Sequence, residues 1–380
     1  MAAPGAALAS SHAKAPATSE GPRDDRATFD RLAAHVAASW DSARGGFVSK
    51  DGAPSESAVE LGLLLGHEKD GGEWSRRALA TIDWARALQD TVSGGFVSRP
   101  PRGGEDLDAF AMTTDVNGRR LTNLVAAWHA TGDPQYRRDA QRVAGFVDRQ
   151  LIDGRGGFIA APVGDRNLEP AANGVAIHAW LDWAAATGDP MLRDFALRSI
   201  ERVWTTCFDS RGVLLRRGDF GEVVMAPQLM DQVEMGRALV LSASLCGRPQ
   251  DLQRAGLLAR AMVQGFLDAK RGAFMTQAWP KKDGTIRRAP CRAGENARAA
   301  LFLAELAAAS GVELARQAAR SAWAAFAADA DDKNFDAADW ALAFRTLDTP
   351  RTIVRPTWQV AAGEPSPGPT ILYRGRIPKR

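Results

Sequence analysis

Mostly apolar stretches alternate with amphipathic ones along most of the chain. Residues 121–130 and 175–186 are largely apolar, and each stretch ends at a glycine. In residues 136–147, which follow the first of these glycines, the charged side chains fall on one helical face. A helix that is apolar on all sides has to be buried, whereas an amphipathic helix can have one face in solvent. The alternation therefore predicts an inner and an outer ring of helices.

A turn motif recurs along the chain: an aspartate, a glycine-rich turn, then an aromatic or aliphatic pair. Its copies begin at Asp41, Asp90, Asp153, Asp209 and Asp268, and a degraded sixth copy lies near residues 329–332. Glycine supplies the positive φ that ends a helix, and aspartate can accept hydrogen bonds from backbone N–H groups in the turn. The spacing is typical of a helical hairpin repeat. We therefore predict an all-α (α/α)6 toroid over residues 26–348, with a disordered leader (1–25) and an extended, proline-containing tail (349–380).

Four amide side chains share one position in this repeat. Each of them precedes a helix-ending glycine by fifteen residues, and they are Asn117, Asn173, Gln232 and Asn296. With a rise of about 1.5 Å per residue, the common spacing predicts that they lie at the same height near the starts of inner helices, at one mouth of the toroid. Two roles remain open for them: helix capping, or binding of a ligand at that mouth.

Composition excludes several classes of function. The 380 residues include 48 basic and 45 acidic side chains without a basic block, which argues against nucleic-acid binding. No apolar run is long enough to span a membrane. The three cysteines lie far apart, which predicts a reduced, cytoplasmic protein without disulfides. No nucleotide-binding or metal-binding motif is present, so we expect no cofactor and no metal. The sequence leaves the oligomeric state undetermined.

The chain resembles a known family in the stretches WDSARGGFVSK (40–50), GGFVSRP (94–100), NGRRLTNLVAAWHATGDPQYRRDA (117–140) and GGFIAAP (156–162). They resemble the thioredoxin-domain-containing proteins related to spermatogenesis-associated protein 20. The resemblance implies a six-hairpin toroid similar to N-acylglucosamine 2-epimerases and several glycosidases, over roughly residues 30–345. This chain lacks that family's thioredoxin-like domain and its C-x-x-C motif. It also lacks the family's His and Glu before Asp115 and Asn117, which weakens any inherited activity.

Candidate chemistry is concentrated near the starts of the inner helices. Glycoside hydrolysis needs two carboxyl groups, one on each side of the bond. We predict as catalytic the acidic residues Asp115, Glu169, Glu234 and Glu295. We predict as substrate-binding the four amides together with Asp231, which precedes Gln232, and His178. Each of these acids also has a structural alternative, a helix-start carboxylate stabilised by the helix dipole.

Sugar epimerisation, the chemistry of related toroids, usually relies on histidine as acid and base. His178 is the only histidine placed deep on a middle inner helix, and no second histidine occupies an equivalent position. That absence argues against a two-histidine mechanism. Eleven tryptophans suggest that some line a concave surface, where flat aromatic rings suit sugars. The sequence thus predicts a carbohydrate-active or sugar-binding toroid, with a non-catalytic scaffold as the alternative.

Overall fold

The computed structural model describes residues 25–66, 72–100, 112–164, 166–278, 289–330 and 337–348. The leader and the tail predicted from the sequence lie outside these residues, except that residue 25 begins the first helix. Twelve α-helices occur in the described part of the chain. They are α1 (Asp25–Ala38), α2 (Glu56–Gly66), α3 (Gly72–Ala85), α4 (Thr114–Thr131), α5 (Pro134–Gln150), α6 (Pro170–Thr187), α7 (Pro190–Cys207), α8 (Leu229–Cys246), α9 (Pro249–Ala261), α10 (Ala293–Ser310), α11 (Glu313–Ala324) and α12 (Ala338–Asp348).

The even-numbered helices form the inner ring. Each contacts the next along the chain, and α12 packs on α2, which closes the ring. The odd-numbered helices α3 to α11 each pack on the inner helix that precedes them, and α1 packs on α12. The described helices therefore build six hairpins in two concentric rings, as the alternation of apolar and amphipathic segments predicts. The (α/α)6 toroid is confirmed.

Short turns join α4, α6, α8 and α10 to the outer helix that follows each of them. Helices α4, α6, α8 and α10 all end at a glycine with φ between 66° and 72°, a conformation that side chains with a Cβ disfavour. The connections that run from an outer helix to the next inner helix are much longer. All the long connections therefore lie at the mouth where the inner helices begin.

The recurring aspartates organise these long connections. Asp41, Asp90 and Asp268 each accept hydrogen bonds from backbone N–H groups two and three residues further on. Asp153 and Asp209 accept one from the N–H two residues further on. After the turn, the chain pairs with the segment before it in a short antiparallel ladder. In this way β1 (Trp40–Asp41) pairs with β2 (Gly46–Phe47), and β3 (Leu267–Asp268) pairs with β4 (Ala273–Phe274). The predicted turn motif is thus confirmed for the five copies from Asp41 to Asp268, whereas the sixth copy, near residues 329–332, lies partly outside the described residues.

Candidate functional site

A cavity lies on the axis of the inner ring, near the mouth where the inner helices begin. Its upper layer has one side chain from every inner helix: Ser57, Arg119, Val175, Glu234, Arg298 and Asp339. Its lower layer lies three residues further along four of these helices: Glu60, Thr122, His178 and Arg237. Residues three apart share one face of a helix, which is why both sets face the axis.

The upper layer is a chain of buried ion pairs. Arg298 donates to both carboxylate oxygens of Glu234, at 3.0 and 2.9 Å, a bidentate arrangement that fixes both side chains. Its Nη1 also donates to Asp339 Oδ1 at 3.0 Å, and Ser57 Oγ donates to the same oxygen at 2.9 Å. The chain of contacts therefore runs from α2 through α12 and α10 to α8.

Arg119 completes the layer from the other side of the axis. Its Nη2 donates to Glu234 Oε1 at 3.0 Å, and its Nε donates to Asp115 Oδ1 at 2.9 Å. The contact joins α4 to α8, which lie on either side of α6 in the ring. Glu234 is thereby held by guanidinium groups from two helices.

Two glycines allow the side chain of Arg119 to extend across α6 to Glu234. A Cβ on Gly174 would lie 2.3 Å from the backbone carbon of Glu234, and a Cβ on Gly118 would lie 2.7 Å from Val175. The first distance is to backbone and leaves no room for a side chain, so glycine is required where α8 approaches α6; the second is to a methyl group of Val175. Because the three helices are this close, Arg119 can bridge over Val175 to Glu234.

The lower layer contains the histidine predicted from the sequence. His178 Nε2 lies 3.6 Å from Asp182 Oδ2, one turn further along α6. The Nδ1 atom of His178 is buried and has no hydrogen-bond partner in the described structure. Across the cavity, Arg237 donates to both oxygens of Glu305 at 2.9 Å and lies 3.8 Å from Glu60.

These surroundings shift the proton affinities of the acidic and basic groups in different directions. Burial by itself would raise the pKa of Glu234, but Arg298, Arg119 and Arg237 outweigh it and hold the pKa well below its usual range. Burial and the charge of Arg237 lower the pKa of His178 to about 4. Burial and the charge of Glu60 raise the pKa of Asp182 to about 7. Near neutral pH, a neutral imidazole therefore lies beside a carboxyl group that titrates there.

The structure brings only some of the predicted site residues together. Of the four predicted catalytic acids, Glu234 alone lines the cavity. Asp115 lies at the rim with a side chain that is 57% exposed, and Glu295 pairs with Arg292 at 3.5 Å. Glu169 pairs with Arg216 at 2.8 Å. The four carboxylates thus do not converge on one point.

Asp231, predicted to bind substrate, lies between the starts of α6 and α8. It is fully buried, accepts the N–H of Ala171 and pairs with Arg216 at 3.1 Å. Burial raises its pKa to about 6, although Arg216 lowers it. This guanidinium also binds Glu169, so Arg216 links two of the predicted residues at a point outside the cavity lining.

The four amides occupy equivalent positions, each as the fourth residue of its inner helix. Asn173 shows their shared contacts: Oδ1 accepts the N–H of Phe158 at 2.8 Å, and Nδ2 donates to the carbonyls of Phe158 and Glu169. Asn117 makes the same three contacts with Phe96 and Thr113. Gln232 makes them with Leu214 and Gln228, and Asn296 makes them with Phe274 and Arg292.

Neither role left open for the amides, capping or ligand binding, matches these contacts. All four residues are fully buried, and none lines the cavity. Each side chain hydrogen-bonds the backbone that follows the preceding turn motif and thereby holds it against the start of an inner helix. Their substrate-binding role therefore has no support in this geometry, because the polar atoms are already used by the backbone.

The sequence reasoning missed the arginines of the cavity. Arg119, Glu234 and Arg298 all stand two residues after an amide of the repeat. A charged residue recurring there on otherwise apolar helices is a signal that could have identified the upper layer. The expectation that some tryptophans line a concave surface has no support at the cavity, since none of the described tryptophans lines it. Trp180, Trp183, Trp323 and Trp340 are buried in the core.

Two further properties bear on the chemistry available. Among the described residues, no group of three or more His, Cys, Asp and Glu side chains is arranged to hold a metal ion. Nor is any helix in the described ranges long and apolar enough to cross a membrane.

Solved structures with the same fold include several sugar-converting enzymes. A D-mannose isomerase superposes with a TM-score of 0.69 at 15% identity, covering 87% of this chain and 100% of its own. A GH76 α-mannanase of Bacteroides thetaiotaomicron gives 0.65 at 14% identity, over 86% and 96% of the two chains. A sugar epimerase from a ruminal bacterium gives 0.63 at 14% identity, over 80% and 85%.

At such low identity these likenesses establish the fold alone. No family model matches the chain. The chain therefore has the six-hairpin toroid fold that these isomerases, epimerases and mannanases share. The narrower resemblance to proteins related to spermatogenesis-associated protein 20 stays a prediction, and so does the cytoplasmic location.

Proposed function

We propose that the protein binds a neutral sugar in its central cavity and isomerises it by proton transfer at His178. The observation that carries the proposal is His178 itself: a neutral imidazole that lines the cavity and has an unpartnered Nδ1. Asp182 lies against it with a pKa of about 7. Neighbouring groups whose pKa values are pushed apart are typical of acid–base pairs.

A single histidine favours isomerisation over the other sugar reactions. Converting an aldose to a ketose moves one proton from C2 to C1 and another from the C2 hydroxyl to the C1 oxygen. One base on one face of the open-chain sugar can carry the carbon-bound proton. Inverting C2 instead requires a proton-transfer group on each face, and the described cavity has no second histidine.

Glycoside hydrolysis has less support from the same residues. It needs a carboxylic acid that is protonated near the leaving oxygen and a second carboxylate opposite it. Glu234, the one predicted acid on the cavity, is kept ionised by its arginines. An ionised carboxylate bound to three guanidinium groups can orient sugar hydroxyls, but it makes a poor proton donor.

The charged side chains that line the cavity are paired with one another, which favours a neutral ligand. Arg298, Arg237 and Arg119 each bind at least one carboxylate, so the wall offers no unpaired guanidinium to an acidic sugar. Thr122 adds a hydroxyl, which suits sugar hydroxyls, whereas the Asn123 amide nitrogen already donates to Glu56.

The experiment is to incubate the protein with neutral aldoses and ketoses in D2O and to follow deuterium exchange at C2 by proton NMR. Exchange and product formation are expected for at least one sugar. Replacing His178 with Asn should slow both by about 10²- to 10⁴-fold, the usual contribution of a general base. His129→Asn is the matched control, because His129 lies near the end of α4 and does not line the cavity. Equal rates in the two variants would refute the role of His178.

A non-catalytic scaffold is the second candidate, and the size of the cavity favours it. The space in the cavity is about 30 Å³, whereas one water molecule already needs roughly 10–15 Å³ on this measure. A sugar can bind only if the side chains of the upper layer move. Thermal unfolding with each sugar at high concentration separates the candidates, since a ligand at a hundred times its Kd stabilises by about 2.7 kcal/mol. A panel without any shift and without exchange supports the scaffold.

A further inference from the structure

A short hairpin stands out at the mouth of the toroid, on the connection between α7 and α8. Arg217 pairs with Val223 across it, and the Gly218 N–H donates to the Glu222 carbonyl at its turn. Residues 219–225 are all exposed, and no other run of exposed residues in the described part of the chain is as long. Residues 216–225 are called the mouth hairpin below.

The exposed end of the mouth hairpin is apolar. Phe220 is 98% exposed, and Val223, Val224 and Met225 are 48%, 37% and 42% exposed. Of the ten large apolar side chains that the described structure exposes, these six positions, 220–225, hold four. Single exposed apolar side chains are ordinary, but a contiguous group of them marks a surface that contacts another molecule.

The backbone of Val223 is unpaired on its outer side. Two ladder bonds flank it: the Val224 N–H donates to the Arg216 carbonyl, and the Gly218 N–H donates to the Glu222 carbonyl. Backbone groups of successive residues in a strand point to opposite sides, so the N–H and the carbonyl of Val223 face away from the hairpin. Neither has a hydrogen-bond partner among the described residues. A strand edge of this kind is a template for pairing with another strand.

We propose that the mouth hairpins of two copies of this chain pair edge to edge, antiparallel, about a two-fold axis at Val223. Each Val223 N–H then donates to the Val223 carbonyl of the other copy, so the outward groups of both hairpins are used. In this register Glu222 lies opposite Val224, and no like charges face each other across the pair. Phe220 and Met225 lie towards the two ends of the paired segment and lose exposure on association.

A second copy fits this edge better than an extended peptide of another protein. A peptide that adds a strand to a sheet gains affinity from main-chain hydrogen bonds and specificity from pockets for alternate side chains. The free edge here is short, because the Gly221 N–H already bonds to Gly218 and the Ala226 carbonyl to Gln228. Its side chains stand out and form no pockets, whereas two-fold pairing needs only Val223 from each copy. A contact through one hairpin is small, so we expect a reversible dimer with a Kd in the micromolar range or weaker.

Sedimentation equilibrium tests the dimer at protein concentrations up to about 1 mM, where even a weak Kd is measurable. We expect a monomer–dimer equilibrium in the wild type. Val223→Pro removes the outward N–H but neither ladder bond, and the loss of both intermolecular hydrogen bonds should raise the Kd about tenfold or more. Val223→Lys places two like charges at the axis and should raise it as well. Val163→Lys is the matched control, because Val163 is equally apolar and 81% exposed on the preceding connection, and its Kd should equal that of the wild type.

A wild type that stays monomeric at the highest concentration overturns the proposal and leaves the edge to an extended peptide. A Kd that is unchanged in both Val223→Pro and Val223→Lys places the contact elsewhere and likewise overturns it. Equal denaturant midpoints for wild type and variants show that the fold is intact, as expected for a change in an exposed hairpin.

Cysteine cross-linking tests the register. The two Val223 residues would form a hydrogen-bonded pair with Cα atoms about 5.5 Å apart, within reach of a disulfide, so Val223→Cys oxidised with diamide should give a covalent dimer. Val224→Cys is the control: its two copies would lie more than about 7 Å apart, too far for a disulfide. Wild type treated in parallel accounts for the native Cys207, Cys246 and Cys291. Faster cross-linking of Val224→Cys than of Val223→Cys, or no cross-linking above wild type in either, overturns the pairing about Val223.

Discussion

Replacing Asn173 with alanine should destabilise the protein by about 2–6 kcal/mol without involving the cavity. The substitution removes three hydrogen bonds, at 2.8, 2.8 and 3.0 Å, from a fully buried side chain. It leaves the N–H and the carbonyl of Phe158 buried without this partner. Each buried polar group that loses its partner costs about 1–3 kcal/mol, and the expected total follows from two such groups. The loss exceeds that of an exposed helix cap, because water cannot replace the amide.

The assay is chemical unfolding of wild type and variant, read from the denaturant midpoint at an unchanged m-value. Asn117→Ala and Asn296→Ala should lose similar stability, since they make the same contacts. Thr187→Ala is the control: its hydroxyl bonds to the carbonyl of Trp183 in its own helix, so the change should cost little. A loss below about 0.5 kcal/mol in Asn173→Ala, together with weaker ligand binding, would refute the structural role and restore the amides as ligand groups.

Three further predictions concern the cavity. Gly174→Ala should destabilise the protein by more than about 1–3 kcal/mol, because the added methyl group would lie 2.3 Å from the backbone of Glu234. Gly256→Ala is the control, since nothing lies within 4 Å of a Cβ added there. Equal denaturant midpoints for the two variants would contradict the close approach of α8 to α6. Glu234→Gln should cost about 3–5 kcal/mol, because it removes the buried carboxylate that Arg298, Arg119 and Arg237 share, and wild-type stability would show that the layer is not an electrostatic unit. Isomerase activity should decline as pH falls through about 4, where His178 gains a proton, and as pH rises through about 7, where Asp182 loses one. Rates that do not change between pH 3 and 9 would exclude both groups from the proton transfer.

The pH dependence of stability follows from the same two groups. The folded-state pKa of Asp182 is raised to about 7, so its contribution to stability is present at low pH and is lost as pH rises toward 7. The folded-state pKa of His178 is lowered to about 4, so its contribution is present above pH 6.5 and is lost as pH falls toward 4. Asp182→Asn should therefore gain stability relative to wild type between pH 4 and 7, as unfolding curves across that range would show.

The architecture could be predicted from the sequence because it depends on local signals. The glycines that end α4, α6, α8 and α10, and the aspartates of the turn motif, act within a few residues of their own position. Register could be predicted as well, since the amides keep a constant distance from those glycines. Such signals repeat with the hairpin, so several weak copies reinforce one another.

The site could be predicted only in part, because it depends on contacts between distant hairpins. Glu234 and His178 were identified, but the partner of Glu234 on α4 lies 115 residues away along the chain. The amides illustrate the opposite error. Their constant spacing is real, but the spacing cannot distinguish a side chain that faces the cavity from one that faces the preceding turn. Only the direction of the Cα–Cβ bond on the folded helix decides between the two.

The buried ion pairs also bear on the choice between enzyme and scaffold. Removing two charges from water is costly, and replacing a buried ion pair by apolar residues of similar volume is often neutral or stabilising. A toroid that served only as a scaffold would gain little from arginines and carboxylates on its axis, since leucine and alanine already fill the space between its inner and outer rings. Here Glu234, Arg237 and Arg298 are each at least 94% buried. That cost has a physical reason if these groups exchange partners with a polar ligand.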